Sequence, residues 1–457
     1  MEDDSISTGA RRTELPNEVI HIIIDQLQDE ESYLKMCSLV SKQFVSRAQK
    51  HLFCTIELLF PQRFTHHPAR ALLDIFDINP SLARHVENLD IVDYFEGVWD
   101  SRRQEYHKMV DEILPRLFRH FLCLRSFSLV GAPALTRSVT STDRKHLHDL
   151  SPHLMSALFQ MFRSNKVTDI ALESITNFPM DHLASTCPHL QRLSLESLDS
   201  FSSLDTAVLY GNLVEIQTQA ANRGLQALKF DDGSALAAQK LCEGASRPGS
   251  CLTLAHLQSL VLHGHSESMR EAAAQIIVDA ASFLEEFHWD HNFHVVFADF
   301  HSTPIDLGVT MNLRVLRWAG VHAGDEQPDH LYWIYESLSG IQEHNRLEEI
   351  VIVLFCHLSD IQESEWGESA DWAASFDSLL ASPKFGFLRR VVIFVDFSNI
   401  EDRDPLPTEE YVRIDKCLED RLPLLRERGV LSIDWIVSDG SEGGLAIAER
   451  MLDHQEE

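Results

Sequence analysis

A short pattern of apolar positions returns ten times along the chain. It reads x-L-x-x-L-x-L with apolar substitutions, and its first anchors recur at steps of 23 to 43 residues. Because apolar residues alternate within each copy, each copy predicts a five-residue strand with one buried face. The seven clear copies are HLQRLSL at 189, GLQALKF at 224, HLQSLVL at 256, FLEEFHW at 283, NLRVLRW at 312, RLEEIVI at 346 and FLRRVVI at 387. The three weaker copies are HVENLDI at 85, CLRSFSL at 123 and KVTDIAL at 166.

Helical stretches occupy several of the intervals between the copies. Glu271–Ser282 and His330–Glu343 are two of them, and Thr408–Arg428 reads as a last helix before a closing strand at Val430–Val437. One strand and one helix per unit predict an α/β fold of stacked right-handed turns with a parallel sheet. A doubly wound α/β sheet is the alternative. A doubly wound sheet explains the alternation of apolar residues within the strands, but it does not explain the leucine spacing that recurs inside each copy.

The first sixty residues have a different, helical pattern. Pro16 is suited to the start of a helix, and Ser41 is suited to cap a later one. The first helix is apolar over more than half of its circumference, which indicates that it packs against two partners. The pattern predicts three helices, with apolar positions at Val19, Ile20, Ile23, Ile24 and Leu27, at Leu34, Met36, Cys37 and Val40, and at Phe44, Val45, Ala48 and Leu52.

Residues 14–54 resemble the F-box family. The matching residues are Leu15, Pro16, Glu18, Val19, Ile23, Leu27, Leu34, Val40, Ser41, Lys42 and Phe44, the last standing where the family often carries Trp. The resemblance implies that this module binds a Skp-type adaptor and so joins a cullin ubiquitin ligase. The implied adaptor contacts are Leu15, Pro16, Val19, Ile23, Leu34, Val40 and Phe44. An ordinary helical cap on the larger domain is the alternative.

The repeats resemble leucine-rich repeats. The asparagine that follows the last leucine of a standard repeat is mostly missing, so the expected fold is an irregular leucine-rich-repeat solenoid over residues 55–437. Residues 1–13 are expected to be a disordered tail and residues 438–457 a polar one. The expected architecture is thus a three-helix F-box followed by a solenoid with a parallel sheet.

In such a solenoid, the residues between the leucines face the concave surface of the sheet. Towards the C-terminus these positions become apolar, and exposed apolar patches usually mark interfaces. They predict a docking site for a substrate protein at Arg317, Val351, Val353, Arg390, Val392 and Phe394. Alternatively, the closing strand or the tail covers this face.

Four cations on the same face, Arg192, Lys229, Arg317 and Arg390, suit an acidic or phosphorylated segment. The carboxylates Glu196, Asp231, Glu286 and Glu349 are interleaved with them, which favours a mixed, solvated face instead.

Charge and cysteine usage narrow the class of partner and the compartment. Thirty-nine Lys and Arg against 70 Asp and Glu give a net charge of −31, which argues against a general nucleic-acid or membrane-surface binder. The longest apolar run, 350–356, has seven residues, far below the roughly 20 of a membrane-spanning helix. The start of the chain lacks the apolar core of a secretory signal, and the eight Cys form no C-x-x-C pair. These features favour the cytosol or nucleus.

No catalytic motif of a hydrolase, nucleotide-binding enzyme or zinc protease occurs in the chain. We therefore expect a non-catalytic, cofactor-free subunit that recruits a substrate protein to a ubiquitin ligase. A scaffold without a role in ubiquitination is one alternative. A metal-dependent enzyme is another, since His263, His288 and His291 lie near Asp290 in adjacent repeats and could hold a transition metal. Solvated loop histidines explain this cluster more simply, since the chain has 24 His.

Overall fold

The computed structural model describes residues 16–59, 67–92, 103–131, 150–198, 224–291, 304–322, 330–355, 371–396 and 408–436. The chain forms two compact units, Met1–Ser128 and Leu129–Glu457. The predicted boundary between residues 54 and 55 lies inside the first unit. The two predicted tails lie outside the described residues.

The first unit begins with three helices and continues with alternating strands and helices. Its strands β1 and β2 pair in parallel, and Ser126 at the start of β3 donates its backbone N–H to Glu87 O (3.0 Å), just before β2. Strand β1 directly follows the third helix and was not predicted. The elements are α1 (Asn17–Asp25), α2 (Glu31–Val40), α3 (Lys42–Cys54), β1 (Thr55–Leu59), α4 (Pro68–Ile78), β2 (Asn88–Val92), α5 (Arg103–Phe118) and β3 (Ser126–Val130), which crosses the division.

The second unit continues the alternation of helices and strands. Its elements are α6 (Pro152–Ser164), β4 (Asp169–Glu173), α7 (Met180–Thr186), β5 (Arg192–Glu196), β6 (Ala227–Asp231), α8 (Ala235–Ala245), β7 (Ser259–His263), α9 (Glu267–Ala280), β8 (Glu286–Asp290), β9 (Val315–His322), α10 (His330–Ser339), β10 (Glu349–Phe355), α11 (Asp371–Ala381), β11 (Arg390–Asp396), α12 (Thr408–Arg421), α13 (Pro423–Glu427) and β12 (Leu431–Ile436).

Strands β4 to β12 form an open parallel sheet in which each strand lies beside the next one in the chain. The predicted α/β class and parallel sheet are therefore confirmed. A doubly wound sheet reverses its strand order part-way, which this sheet does not do.

The ten repeat anchors occupy equivalent buried positions. In every copy the strand begins two residues after the anchor. The residue between them continues the hydrogen-bond ladder: Gln258 donates its backbone N–H to Gln226 O (2.8 Å), and Glu285 donates to Gln258 O (2.8 Å). All ten anchors are at most 3% exposed, namely Val86, Leu124, Val167, Leu190, Leu225, Leu257, Leu284, Leu313, Leu347 and Leu388.

The predicted last helix, Thr408–Arg428, is divided into α12 and α13 at Leu422. Pro423 is the reason, because proline has no backbone N–H to donate within a helix but is tolerated in a first turn. After α13, the guanidinium of Arg428 donates to the carbonyl oxygens of three residues. These are Leu380 (2.6 Å), Phe385 (3.2 Å) and Leu388 (3.3 Å). Arg428 thereby joins this segment to the end of α11 and the turn before β11.

Gly264 lies at a crowded turn after β7, with a φ of +130°. Its backbone N–H donates to Asp290 O (2.7 Å), and its carbonyl oxygen accepts from the indole Nε1 of Trp289 (2.8 Å). A Cβ atom at this position would overlap the carboxylate of Asp232. That carboxylate accepts the backbone N–H groups of His265 (2.9 Å) and Ser266 (2.8 Å), so the glycine leaves room for a carboxylate that is fixed in place.

Candidate partner-binding surface

The three N-terminal helices enclose a small apolar core. Helices α1 and α2 both pack against α3, and Ile20, Ile24, Leu34 and Ala48 are buried between them. Leu27, Cys37, Phe44 and Leu52 are partly buried against this core. The inward residues of α1 recur every four positions, as expected for one face of a helix.

Two polar devices hold the helices together. Ser41, in extended backbone between α2 and α3, accepts the backbone N–H of Gln43 on its hydroxyl (3.3 Å) and so caps α3 as predicted. Asp25, at the end of α1, accepts two hydrogen bonds from the Arg47 guanidinium (2.6 and 2.5 Å) and lies 2.7 Å from His51 Nε2. The hydrogen bonds from Arg47, followed by the one from His51, hold the pKa of Asp25 well below its usual range.

The outward faces of α1 and α2 are also apolar. Leu39 is 86% exposed, Val40 73% and Ile22 62%, and a group of exposed apolar side chains of this kind is typical of an interface. Helix α1 is therefore apolar on more than one side, as its sequence indicates, while packing against a second partner stays a prediction. We call the exposed set, Val19, Ile22, Ile23, Tyr33, Met36, Leu39 and Val40, the apolar surface of α1 and α2.

The predicted adaptor contacts are distributed between this surface and the core. Pro16, Val19, Ile23 and Val40 are exposed. Leu15 lies outside the described residues. Leu34 and Phe44 are placed differently.

Leu34 is 1% exposed and belongs to the helical core, so its prediction as a surface contact is wrong for this arrangement. It faces inward because it packs with Ile20 and Ile24. Phe44 is half-buried against the same core. Sequence reasoning missed the exposure of Ile22, Met36 and Leu39, although Ile22 lies three positions from Val19 and Met36 lies four positions from Val40.

Comparison with known proteins assigns the chain to no family. No protein-family model matches the chain, and no curated protein matches it. The residues and the geometry of the apolar surface are therefore the basis for its function. In the part of the chain that the structure describes, no helix combines the length and apolar content needed to cross a membrane.

The apolar docking site predicted on the later strands is not a surface. Val351, Val353, Val392 and Phe394 are fully buried and form a cluster with Ala319 and Ile436. Strands β10 and β11 are continuous apolar runs, which is typical of strands covered on both faces. The concave face was predicted either to dock a substrate protein or to be covered. At these four residues it is covered.

The remaining two residues of that predicted site, Arg317 and Arg390, are half-buried. Both lie beside the Glu349 carboxylate on β10, at 4.0 and 3.5 Å respectively. Of the other two cations considered for an acidic segment, Lys229 pairs with Glu196 (2.9 Å) and Arg192 pairs with Asp169. Each cation thus has a carboxylate on an adjacent strand. This favours the mixed face over a site for phosphorylated segments.

The predicted histidine cluster is divided among separate contacts. His263 Nδ1 lies 3.5 Å from a carboxylate oxygen of Asp290, and Arg317 Nη1 lies 3.4 Å from His288 Nε2. The His291 ring stacks on Trp289, with the ring centroids 4.4 Å apart. Within the described residues, no group of three or more His, Cys, Asp or Glu side chains is arranged to hold a metal ion. The geometry therefore gives no support to the metal-dependent alternative.

Proposed function

We propose that the chain is a non-catalytic substrate-recognition subunit of a cullin ubiquitin ligase, and that α1 and α2 bind a Skp-type adaptor. The apolar surface of α1 and α2 carries this proposal. The helical core is already filled, so the outward residues are surplus to the folding of the module. Among them, Val19, Ile23 and Val40 belong to the F-box pattern of residues 14–54, and this resemblance supports an adaptor as the partner.

Covering the apolar surface of α1 and α2 would contribute several kcal/mol of hydrophobic free energy to a complex. Full burial of an exposed aliphatic side chain contributes about 1.5–3 kcal/mol. Leu39, Val40 and Ile22 are each more than 60% exposed, so covering these three alone contributes about 3–6 kcal/mol. The other exposed members of the surface add to this and help to offset the loss of translational and rotational freedom on binding.

The strands and helices that follow would present the substrate protein. A subunit of this kind acts by proximity, since it raises the effective concentration of a target lysine near a ubiquitin-charged enzyme held elsewhere in the assembly. This role places the chain in the cytosol or nucleus. The repeated strand–helix segments support an extended binding surface, as leucine-rich repeats would supply.

Co-purification with a Skp-type adaptor tests the proposal. The variant Ile23→Asp/Leu39→Asp places two charges on the apolar surface, and we expect it to lose adaptor binding by at least about 100-fold, since burying an unpaired charge costs several kcal/mol. Ile78→Asp is the matched control, because Ile78 is 86% exposed on α4 of the same unit. Thermal unfolding of both variants verifies that they remain folded.

Retained adaptor binding by the Ile23→Asp/Leu39→Asp protein would overturn the assignment of this surface. A second measurement separates a ligase subunit from a scaffold that uses the adaptor only to complete its fold. We expect cullin-dependent ubiquitination of a bound partner in the reconstituted complex. A complex that binds its partner but never modifies it would favour the scaffold.

A further inference from the structure

One face of β9 to β12 is apolar and completely shielded from water. Six side chains on this face form one cluster, and each of them is 0% exposed. The register of the strands places them side by side, since Val351 on β10 lies opposite Val392 on β11. We call this set the covered face: Ala319, Val351, Val353, Val392, Phe394 and Ile436.

Another valine in the same row of the sheet shows that strand pairing alone does not bury this face. Val261 on β7 and Val351 on β10 occupy one row, which the register continues through the two strands between them. Val261 is partly exposed, whereas Val351 is 0% exposed. Side chains stand roughly perpendicular to a sheet, so their ends reach water unless a second layer lies on them. A second layer therefore covers β9 to β12.

The helices between these strands lie on the other face of the sheet. Crossover connections between parallel strands are right-handed, so strands that follow one another in one direction have their helices on one side. Trp435 on β12 points to that side, since its side chain hydrogen-bonds with Asp415 of α12. The next residue, Ile436, points to the covered face. The described helices therefore do not form the second layer.

We propose that residues 438–457 of the same chain pack on the covered face. This segment lies outside the described residues and begins two positions after Ile436, a member of the covered face. Residues 356–370 and 397–407 also follow strands of this face. Both connect their strand to a helix on the other side of the sheet, α11 or α12, and so must leave the covered face.

The sequence of residues 438–457 suits this position. Leu445, Ala448 and Leu452 recur at i, i+3 and i+7, which is the spacing of one face of a helix. Three glycines precede them and allow the chain to reverse its direction after β12. A helix over 445–457 would measure about 20 Å, which is the length of a strand of about six residues. A segment placed there excludes a partner protein from β9 to β12.

The fluorescence of an apolar dye, anilinonaphthalene sulfonate, tests the proposal on the full chain. The variant Leu445→Asp/Leu452→Asp puts two charges on the apolar side of the segment, where their burial opposes docking. The variant Ser438→Asp/Ser441→Asp adds the same two charges at polar positions and is the matched control. Neither variant changes a described residue, and the apolar surface of α1 and α2 binds dye equally in all three proteins.

We expect the dye fluorescence of the Leu445→Asp/Leu452→Asp protein to rise by at least about twofold, because the covered face becomes exposed. The control should match the unchanged chain. Circular dichroism and thermal unfolding verify that both variants keep their secondary structure and a cooperative transition. Equal fluorescence of all three proteins would overturn the proposal.

Photochemical cross-linking identifies the occupant of the covered face directly. The photoreactive residue p-benzoylphenylalanine replaces Phe394 in the full chain, and mass spectrometry locates the cross-linked peptide. The same residue in place of Val261 is the control on the partly exposed part of this row of strands. We expect Phe394 to give cross-links within one chain to residues 438–457, and Val261 to give none there. Cross-links to residues 356–370 or 397–407, or between two chains, would overturn the proposal.

Discussion

The turn at Gly264 makes a quantitative prediction for folding stability. The substitution Gly264→Ala adds a methyl group that overlaps the Asp232 carboxylate, at a φ of +130° that L-residues rarely adopt. The backbone conformation alone costs about 1–3 kcal/mol. Displacement of Asp232 also removes its two hydrogen bonds to backbone N–H groups, each worth about 1.5 kcal/mol or more. We expect a total loss of about 4–6 kcal/mol.

Gly249 provides a matched control for the clash. Its φ is +87°, and an added Cβ would meet no heavy atom within 4 Å. Gly249→Ala should therefore cost only the conformational part, about 1–2 kcal/mol. Urea unfolding followed by tryptophan fluorescence measures both losses, and Trp289, which donates to the Gly264 carbonyl, reports on the turn itself.

A double-mutant cycle tests the mechanism of the loss. Asp232→Ala alone should cost about 3 kcal/mol, because it leaves two N–H groups without their acceptor. Added to Gly264→Ala, it should cost less than about 1 kcal/mol, since the carboxylate has already been displaced. A Gly264→Ala protein no less stable than Gly249→Ala, or strictly additive losses in the cycle, would refute the reasoning.

Two further substitutions probe the ends of the described chain. Asp25→Asn should lower the free energy of unfolding by about 1–2 kcal/mol, because it removes a charged acceptor from Arg47 at a partly exposed site. Since the folded-state pKa of Asp25 is depressed, this contribution is fully present above about pH 4 and declines as the pH falls towards that depressed pKa. The difference in the free energy of unfolding between the two proteins should therefore be smaller at about pH 3 than at about pH 7. Arg428→Met should cost about 2–4 kcal/mol through three lost donations to carbonyl oxygens, and an unchanged unfolding temperature would contradict this account.

The positions of the strands could be predicted from the sequence because each one carries its own signal. An anchor such as Leu257 and the alternating residues after it must be buried together, which fixes both the strand and its inward face. Strand β1 carries the same pattern in Phe53, Ile56 and Leu58, but its first anchor, Phe53, lies inside α3, which runs into the strand without a break. Its signal was therefore hidden by the preceding helix.

The candidate surfaces were harder to predict because apolar character does not distinguish a covered face from a docking face. Val351 and Val392 were assigned to solvent by the alternation, yet they are buried because β10 and β11 are covered on both sides. Leu34 was carried over from the F-box pattern as a contact but fills the core between the helices. Only the three-dimensional arrangement separates Leu34 from Leu39, five residues later on the same helix.

Among the described residues of the second unit, each strand pairs with the strands that adjoin it in the sequence, although the repeat steps differ widely in length. Extra residues between two strands therefore change no hydrogen-bond register elsewhere in the sheet. The free energy of unfolding of such an array is approximately the sum of the contributions of single segments and of the contacts between neighbouring segments. Lineages of this protein can accordingly lengthen, shorten or duplicate single strand–helix segments while the rest of the sheet keeps its pairing, so that homologous chains of quite different length should share one arrangement of strands.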